Sequence, residues 1–295
     1  MIVTGVSNPP QAVTYTAPTV SQGADPVSTT CSPASGTGFP LGTTTVSCTV
    51  NDAMSRQATC AFGVTMKGMA LGVTKFDAFG DSLTEGETGR PSVIAELLDT
   101  PNAYPTRLQA AFDLAYPGQA TVINQGLSGD LVETTLQKII ARVPGDRPGA
   151  VLLLTGYNNL TGPCGRGGVG TKACDKGVEQ VAFGIRDCMR RVKEANAGVM
   201  YTFVSTLTPP GPSGSNRIDP TAIVQVNAQL RPVVAAEGGI LVDSYAAFVG
   251  HEADYVNVDG LHLRPAGYQA LADAFFAAIQ KTIPQTPMLR IASLQ

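Results

Sequence analysis

The sequence predicts two domains, a small all-β domain followed by a larger, doubly wound α/β domain. The chain has 295 residues, which is long for one small domain and sufficient for two. Near residue 70, short runs of alternating polarity give way to buried apolar runs that alternate with stretches of helical spacing. We therefore predict a first domain over residues 1–66, a linker over 67–72 and a second domain over 73–295.

The first domain is predicted to be a small sandwich of β-strands. Residues 12–16, 43–50 and 58–66 are rich in Thr, Val and Ser, alternate in polarity and are separated by Pro, Gly and Asn-Asp. Such runs are typical of half-buried strands joined by turns. No helical period of useful length occurs before residue 67.

The second domain alternates strands with helices, which favours a parallel sheet covered on both faces. Strands are predicted at residues 73–79, 121–124, 150–155, 199–205 and 240–242. Helices are predicted at residues 104–116, 131–143, 178–196, 220–237 and 265–283. Ligands of such sheets bind beyond the carboxyl ends of the strands, so chemistry is expected there.

Composition and charge exclude several classes of function. Charged residues form 15% of the chain and its formal net charge is −3, so we expect no nucleic-acid partner. No apolar run approaches the ~18 residues that span a bilayer, so no membrane span is expected. The 32 glycines and 21 prolines, with few lysines and glutamates, indicate an extracellular protein. We expect secretion, with the signal peptide absent from this sequence.

The six cysteines include no Cys-x-x-Cys pair, and the chain has only two histidines, so no structural zinc site is expected. Cys164 and Cys174 flank a glycine-rich loop that needs a covalent link to hold its shape, and we predict a disulfide between them. Cys188 lies on the apolar face of a predicted helix and is interpreted as a buried free thiol.

Polar segments follow the predicted strands and recur near the C-terminus. They are Gly-Asp-Ser-Leu-Thr-Glu-Gly at 80–86, Asn-Gln-Gly-Leu-Ser-Gly at 124–129, Gly-Tyr-Asn-Asn at 156–159 and Val-Asp-Gly-Leu-His-Leu at 258–263. Each segment alone is a weak signal, because Gly-Asp-Ser is a common turn. In this order, across about residues 74–283, they resemble the four sequence blocks of the SGNH/GDSL hydrolases. The resemblance implies a flavodoxin-like α/β fold.

The resemblance implies a catalytic triad of Ser82, Asp259 and His262. Ser82 would be the nucleophile, His262 the general base and acid, and Asp259 the carboxylate that orients the imidazole. A serine hydroxyl reacts only when a nearby imidazole removes its proton, and the imidazole needs an acceptor on its other nitrogen. Such chemistry requires neither a cofactor nor a metal.

The resemblance also implies an oxyanion hole formed by the backbone N–H groups of Ser82 and Gly126 and the side-chain amide of Asn158. Taken singly, each residue also has a structural alternative. Ser82 could be a helix N-cap, and Asn124 and Asn158 could be hydrogen-bond acceptors in loops. Asp81 is interpreted as structural. Asn159 departs from the family, since many relatives carry Asp at this position.

The first domain resembles the hyalin-repeat (HYR) module, an immunoglobulin-like sandwich. The resemblance covers about residues 5–66. It rests on the segment from Cys31 to Asp52, which begins Cys-Ser-Pro-Ala-Ser-Gly-Thr-Gly-Phe-Pro-Leu-Gly, and on the closing segment Ala-Thr-Cys-Ala-Phe-Gly-Val-Thr at 58–65. Within it, a Cys31–Cys48 disulfide is favoured, with Cys60 as the competing partner for Cys48. The module implies adhesion or spacing rather than catalysis.

The predicted activity is hydrolysis of carboxylic esters through an acyl-enzyme on Ser82. The segments at 161–176 and 209–216 follow strands and are candidate specificity loops. They are rich in Gly, Pro and Ser, which favours short-acyl or acetyl esters, including acylated carbohydrates, as small-molecule substrates. Two alternatives remain open: an acyltransferase or lysophospholipase/lipase with the same triad, and a non-enzymatic extracellular binding or adhesion protein.

Overall fold

The structure is a computed structural model that describes residues 1–6, 9–89, 98–165, 167–195, 197–212 and 218–287. The chain divides into two compact units. The first comprises Met1–Gly72, Asp113–Gln119 and the described residues from Pro284, and the second comprises Val73–Phe112 and Ala120–Ile283. Two segments of the predicted domain over residues 73–295 therefore belong to the first unit: Asp113–Gln119 and the described residues from Pro284.

The first unit is all-β apart from the end of one helix, as predicted. Its strands are β1 (Ile2–Val6), β2 (Gln11–Ala12), β3 (Ser28–Ser32), β4 (Gly38–Phe39), β5 (Gly42–Asn51), β6 (Gln57–Leu71) and, from near the C-terminus, β12 (Gln285–Pro287). The larger sheet has the order β1-β6-β5-β3 with β12 also paired to β6, and β2 and β4 form a separate pair. Both sheets fit a β-sandwich.

The core of this unit lies on one face of β5 and β6. Val46 and Cys48 on β5 alternate with less buried residues, as do Val64 and Met66 on β6, and these four pack with Phe39 in one buried cluster. This period of two is the strand pattern that the sequence predicted.

The predicted disulfide between Cys31 and Cys48 is present, with an S–S distance of 2.08 Å, and it joins β3 to β5. Cys60 lies opposite Cys48 on β6 and is an exposed free thiol.

The segment predicted as a linker, residues 67–72, is strand as far as Leu71. Local sequence gave no strand signal here, because the partners are distant in the chain. Thr4 pairs with Lys67, and Gln285 pairs with Leu71. Pairing with β1 and β12 thus extends β6 to Leu71.

The second unit contains the predicted parallel sheet. Its strands are β7 (Lys75–Gly80), β8 (Thr121–Gly126), β9 (Ala150–Leu154), β10 (Tyr201–Ser205) and β11 (Ile240–Val242). The order is β8-β7-β9-β10-β11, and every neighbouring pair is parallel. This is the flavodoxin-like order, in which the chain changes direction across the sheet at β7 and β9 and opens a crevice at their carboxyl ends.

Nine helices follow or connect these strands within the described residues. They are α1 (Ser82–Glu85), α2 (Tyr104–Ala115), α3 (Val132–Asp146), α4 (Tyr157–Leu160), α5 (Lys172–Glu194), α6 (Pro220–Ala236), α7 (Ser244–Phe248), α8 (Glu252–Tyr255) and α9 (Pro265–Thr282). The five long helices confirm the predictions, apart from their ends and residue 196, which lies outside the described residues. None of the helices in the described ranges has the length and apolarity that a bilayer crossing requires.

Helix α5 begins six residues earlier than the periodicity predicted, at Lys172 instead of Val178. The Thr171 hydroxyl caps this end by accepting a hydrogen bond from the Cys174 N–H at 3.3 Å. The predicted disulfide between Cys164 and Cys174 is present and therefore ties the preceding loop to the first turn of the helix. Cys188 on the same helix is a buried free thiol, as predicted.

Asp77 is a fully buried carboxyl in the middle of β7. Burial raises its pKa from 3.8 to about 6, and the nearby charge of Asp146 acts in the same direction while Lys75 opposes it. The folded state thus binds this proton more tightly than the unfolded chain. The stability that the proton gives is present below about pH 4 and is lost as the pH rises through about 6.

Asp77→Asn is therefore expected to stabilise the second unit at about pH 8 and to change its stability little at about pH 4. A pKa difference of about two units sets an upper bound of ~3 kcal/mol on the gain. Urea denaturation of both proteins at the two pH values measures it, with the exposed Asp273→Asn as the control. An equal difference at both pH values would contradict the assignment.

Candidate active site

Ser82 lies directly beyond the carboxyl end of β7, at the crevice where the sheet order changes direction. It is the first residue of α1 and is buried. The helix cap is its neighbour Asp81, whose side chain accepts a hydrogen bond from the Leu83 N–H at 3.2 Å. The capping role that was the alternative for Ser82 thus belongs to Asp81, and the Ser82 hydroxyl is left for other contacts.

Asp81 has the structural role that was predicted for it, and its carboxyl group has an unusual pKa. It is completely buried, and this burial raises its pKa from 3.8 to about 7. Hydrogen bonds from the backbone N–H groups of Leu83, Tyr157 and Gly156 oppose the shift. Asp81 thereby ties α1 to the segment that follows β9.

The structure brings together the three residues predicted as the triad. His262 Nε2 lies 2.9 Å from Ser82 Oγ, and His262 Nδ1 lies 2.5 Å from Asp259 Oδ2. The tautomer with its proton on Nδ1 donates to Asp259 and leaves Nε2 to accept the serine proton. Ser82 and His262 are both buried, which keeps water from competing for these contacts.

Asp259 is fixed by the backbone of its own loop. Its Oδ1 accepts hydrogen bonds from the N–H groups of Leu261 at 3.1 Å and of His262 at 3.0 Å. Burial opposes its ionisation, but the hydrogen bonds from His262 and from these N–H groups prevail and hold the pKa of Asp259 below its ordinary value. An ionised Asp259 can orient and stabilise an imidazolium.

The backbone N–H of Ser82 and one amide hydrogen of Asn158, both predicted as oxyanion donors, have no partner within the described part of the chain. The Ser82 N–H makes no hydrogen bond within the described part of the chain. Asn158 follows β9 across the same crevice, and its Nδ2 donates to the Asp130 carbonyl at 2.9 Å. That bond uses one amide hydrogen and leaves the second for a ligand.

Gly126 has a different partner from the one predicted. Its N–H donates to Asn124 Oδ1 at 2.9 Å, within its own strand end. Asn124 also donates to the Glu85 carbonyl at 3.3 Å, which holds this turn against α1. The N–H that was predicted to serve the oxyanion hole is therefore engaged with Asn124.

Gly129, three residues later, carries an N–H that is a candidate oxyanion donor and that the sequence interpretation did not consider. Its φ of +83° turns the chain, and among the described residues its N–H has no hydrogen-bond partner. Its neighbours on both sides touch the site: the Ser128 hydroxyl donates to Glu87, and the Asp130 carbonyl accepts from Asn158. The sequence signal was present as the second glycine of residues 124–129, but spacing alone did not distinguish the two.

Asn159, where many relatives carry Asp, has a structural role. Its Oδ1 accepts from the N–H of Val132 at 2.9 Å, and its Nδ2 donates to Glu133 at 2.9 Å. Both partners are in the first turn of α3, so Asn159 caps that helix from a distance. The two neighbouring asparagines thus have different partners: Asn158 donates to the Asp130 carbonyl, and Asn159 binds the first turn of α3.

Gly89 is a second residue that sequence reasoning missed. It has a φ of +60°, and a Cβ at this position would lie 2.3 Å from Asp259 Oδ2 and 2.6 Å from His262 Nδ1. The backbone of Gly89 therefore lies directly on the hydrogen bond between Asp259 and His262. No periodicity or turn pattern marks it, because its neighbours here come from the far end of the chain.

The candidate specificity loops are described only in part. Residue 166 and residues 213–217 lie outside the described residues. The segment at 161–176 is a short glycine-rich loop followed by the first turns of α5, closed by the Cys164–Cys174 disulfide.

Comparisons with known proteins agree with this geometry. Residues 78–270 match the model of the GDSL-like lipase/acylhydrolase family, and residues 3–66 match the HYR domain. A search of curated proteins found no match.

Solved structures share the fold of the second unit. A lipase/acylhydrolase from Enterococcus faecalis is 20% identical with a TM-score of 0.57, covering 72% of this chain and 97% of its own. LAE5, an alpha/beta hydrolase from the metagenome of Lake Arreo, Spain, is 26% identical with a TM-score of 0.55, covering 72% and 96%. Axe2, an acetylxylan esterase from Geobacillus stearothermophilus, is 19% identical with a TM-score of 0.52, covering 71% and 95%. Because the family model spans more than half of the 295 residues, the chain belongs to the GDSL-like lipase/acylhydrolase family of hydrolases and carries an HYR domain before its hydrolase domain.

Proposed function

We propose that this hydrolase is a serine esterase that cleaves short-acyl or acetyl esters, including those of carbohydrates, through an acyl-enzyme on Ser82. The observation that carries the proposal is the continuous contact from Ser82 Oγ to His262 Nε2 at 2.9 Å and from His262 Nδ1 to Asp259 Oδ2 at 2.5 Å. A nucleophile, a base and an orienting carboxylate in this arrangement are the requirements of acyl transfer.

In the first half-reaction, Ser82 Oγ attacks the ester carbonyl carbon while its proton passes to His262 Nε2. The carbonyl oxygen becomes an oxyanion, which accepts hydrogen bonds from the Ser82 N–H, the Asn158 amide and the Gly129 N–H. The intermediate collapses as the bond to the alcohol oxygen breaks and His262 returns the proton to that oxygen. The products are a free alcohol and an acyl ester of Ser82.

In the second half-reaction, water attacks the acyl-enzyme and gives one proton to His262. The tetrahedral intermediate then expels Ser82 Oγ, which recovers that proton, and the carboxylic acid leaves. Asp259 keeps its charge throughout and stabilises the imidazolium that forms twice in each cycle.

The preference for a short acyl group is supported by the composition of the two candidate specificity loops, residues 161–176 and 209–216, which are rich in Gly, Pro and Ser and poor in large apolar side chains. The two disulfides support secretion into an oxidising compartment.

Two measurements test the proposal. A fluorophosphonate probe is expected to label the wild-type protein on the peptide that contains Ser82 and to leave Ser82→Ala unlabelled. A series of p-nitrophenyl esters from acetate to palmitate is expected to give its highest kcat/KM at the short end. Equal absence of labelling and hydrolysis in both proteins would refute the esterase, and a maximum at palmitate would refute the short-acyl preference.

A further inference from the structure

An acidic side chain that the triad does not use, Glu87, reaches the reacting nitrogen of the site. Glu87 Oε2 lies 3.4 Å from His262 Nε2, the same atom that contacts Ser82 Oγ. The Glu87 side chain is only 15% exposed, so its charge faces the site more than it faces solvent. Nothing in the proposed acyl-transfer steps requires a carboxylate at this point.

Glu87 is held in place by contacts with three separate segments. The Ser128 hydroxyl donates to Glu87 Oε2, and the Tyr268 hydroxyl from α9 donates to the Glu87 carbonyl. The Glu87 backbone also forms an isolated antiparallel bridge with Leu98. A side chain fixed in this way presents its charge at a constant position to anything that enters the site.

The surroundings of Glu87 are acidic. Glu85 lies on the same wall and accepts a hydrogen bond from the Ser128 N–H at 2.6 Å, and Asp81 is buried behind Ser82. Within the described ranges, no lysine or arginine forms an ion pair with Glu85, Glu87 or Asp81. Burial, followed by the charges of Asp81, Glu87, Asp259 and Asp99, raises the pKa of Tyr268 well above its ordinary value, which is a second sign of this negative potential.

The position of Glu87 determines which part of a substrate meets it. His262 Nε2 must return its proton to the alcohol oxygen, so that oxygen lies within hydrogen-bond reach of Nε2. A carboxylate 3.4 Å from Nε2 therefore lies close to the alcohol oxygen and can contact the first carbon atoms of the alcohol. A hydroxyl group at this position donates a hydrogen bond to the Glu87 carboxylate. An alkyl group displaces water from the carboxylate and offers no hydrogen bond in its place. An anionic group is repelled by the carboxylate charge.

We propose that Glu87 is a specificity-determining residue. It selects esters whose alcohol part carries a hydroxyl on the carbon next to the one bonded to the ester oxygen, and it excludes esters of anionic alcohols. This inference rests on the proposed esterase function and narrows its substrates to esters of polyhydroxyl alcohols. The preference belongs to the alcohol side and is independent of the length of the acyl chain.

Three acetates that differ at one group test the proposal: 2-hydroxyethyl acetate, propyl acetate and acetoxyacetate, which present a hydroxyl, a methyl and a carboxylate at similar distances from the ester oxygen. The wild-type protein is compared with Glu87→Gln and Glu87→Ala by kcat/KM on each ester. Comparing each variant with the wild type on the same ester cancels the intrinsic reactivity of the leaving groups. Glu179→Gln, on the exposed face of α5, is the matched control for loss of one negative charge.

We expect Glu87→Ala to lower the ratio of kcat/KM for the hydroxyl ester over the propyl ester about tenfold, since one charge-assisted hydrogen bond is lost. Glu87→Gln keeps an acceptor, so it should lower this ratio less while raising relative activity on acetoxyacetate about tenfold. Glu179→Gln should leave all ratios unchanged. Hydrolysis of p-nitrophenyl acetate by each variant shows that the triad remains aligned.

Ratios that are the same in the wild type, Glu87→Gln and Glu87→Ala would overturn the role of Glu87 while leaving the esterase intact. Failure of the wild-type protein to hydrolyse p-nitrophenyl acetate or any of the three acetates would instead refute the proposed function itself. If Glu87→Ala is unstable by thermal denaturation, the isosteric Glu87→Gln still decides the question through its acetoxyacetate ratio.

Discussion

Gly89→Ala is expected to lower kcat by about 10³-fold or more without unfolding the protein. The added methyl carbon would lie 2.3 Å from Asp259 Oδ2 and 2.6 Å from His262 Nδ1, distances that no real contact permits. One of the two side chains must move, and their hydrogen bond must break or lengthen. Losing the orienting carboxylate of a serine triad costs about 10⁴ in kcat, which sets the scale of the effect.

Gly238→Ala is the matched control for this variant. Gly238 has a φ of +65°, close to the +60° of Gly89, but its added Cβ would meet nothing within 4 Å. Both variants carry the same backbone strain of about 1 kcal/mol, so thermal denaturation of Gly238→Ala measures the loss of stability that this strain alone causes. Only Gly89→Ala should lose turnover of p-nitrophenyl acetate, and equal kcat values for the two variants would contradict the prediction.

A double variant identifies the route of the effect. If the alanine at position 89 acts by separating Asp259 from His262, then Gly89→Ala combined with Asp259→Asn should be hardly slower than Asp259→Asn alone. Residues that act as a unit are strongly non-additive in this way. Additive losses would show that Gly89 acts elsewhere.

Asn158→Ala is expected to lower kcat by about 10² to 10³-fold with little change in KM. The asparagine amide stabilises charge that develops only on the oxyanion, so its removal affects the transition state more than the bound ester. Steady-state kinetics on p-nitrophenyl acetate measures the split between the two constants. A large rise in KM with constant kcat would mean that Asn158 binds substrate instead.

Asn159→Ala provides the neighbouring control for that experiment. This residue caps α3 through Val132 and Glu133, so alanine should destabilise the second unit by about 1 to 2 kcal/mol while most of kcat remains. Urea denaturation measures the first effect. If the outcomes of the two variants were exchanged, the assignment of oxyanion donor and helix cap would have to be exchanged as well.

The fold of the second unit could be predicted because its signals are local. Each parallel strand is a short, buried apolar run such as residues 150–154, and each long helix carries its own three- and four-residue spacing. The triad could be predicted because each of its residues lies in one of the short segments that carry the family resemblance, at 80–86 and 258–263. These sequence patterns can be recognised without knowledge of contacts between distant parts of the chain.

The remaining features depend on contacts that no local pattern records. Leu71 is strand because Gln285 pairs with it, and Gly89 is constrained by Asp259 and His262, more than 160 positions away. Residues 126 and 129 are both glycines of one turn, and which N–H is open depends on the direction of the Asn124 side chain. Glu87 becomes significant only once the folded chain brings it to His262.

The 180-residue separation of Ser82 from His262 has a consequence for synthesis of the protein. The nucleophile leaves the ribosome long before the base has been translated, so a nascent or truncated chain that ends before residue 262 carries a serine without the imidazole that activates it. Hydrolytic competence thus requires a folded chain that extends through residue 262, so turnover reports that synthesis has passed this position.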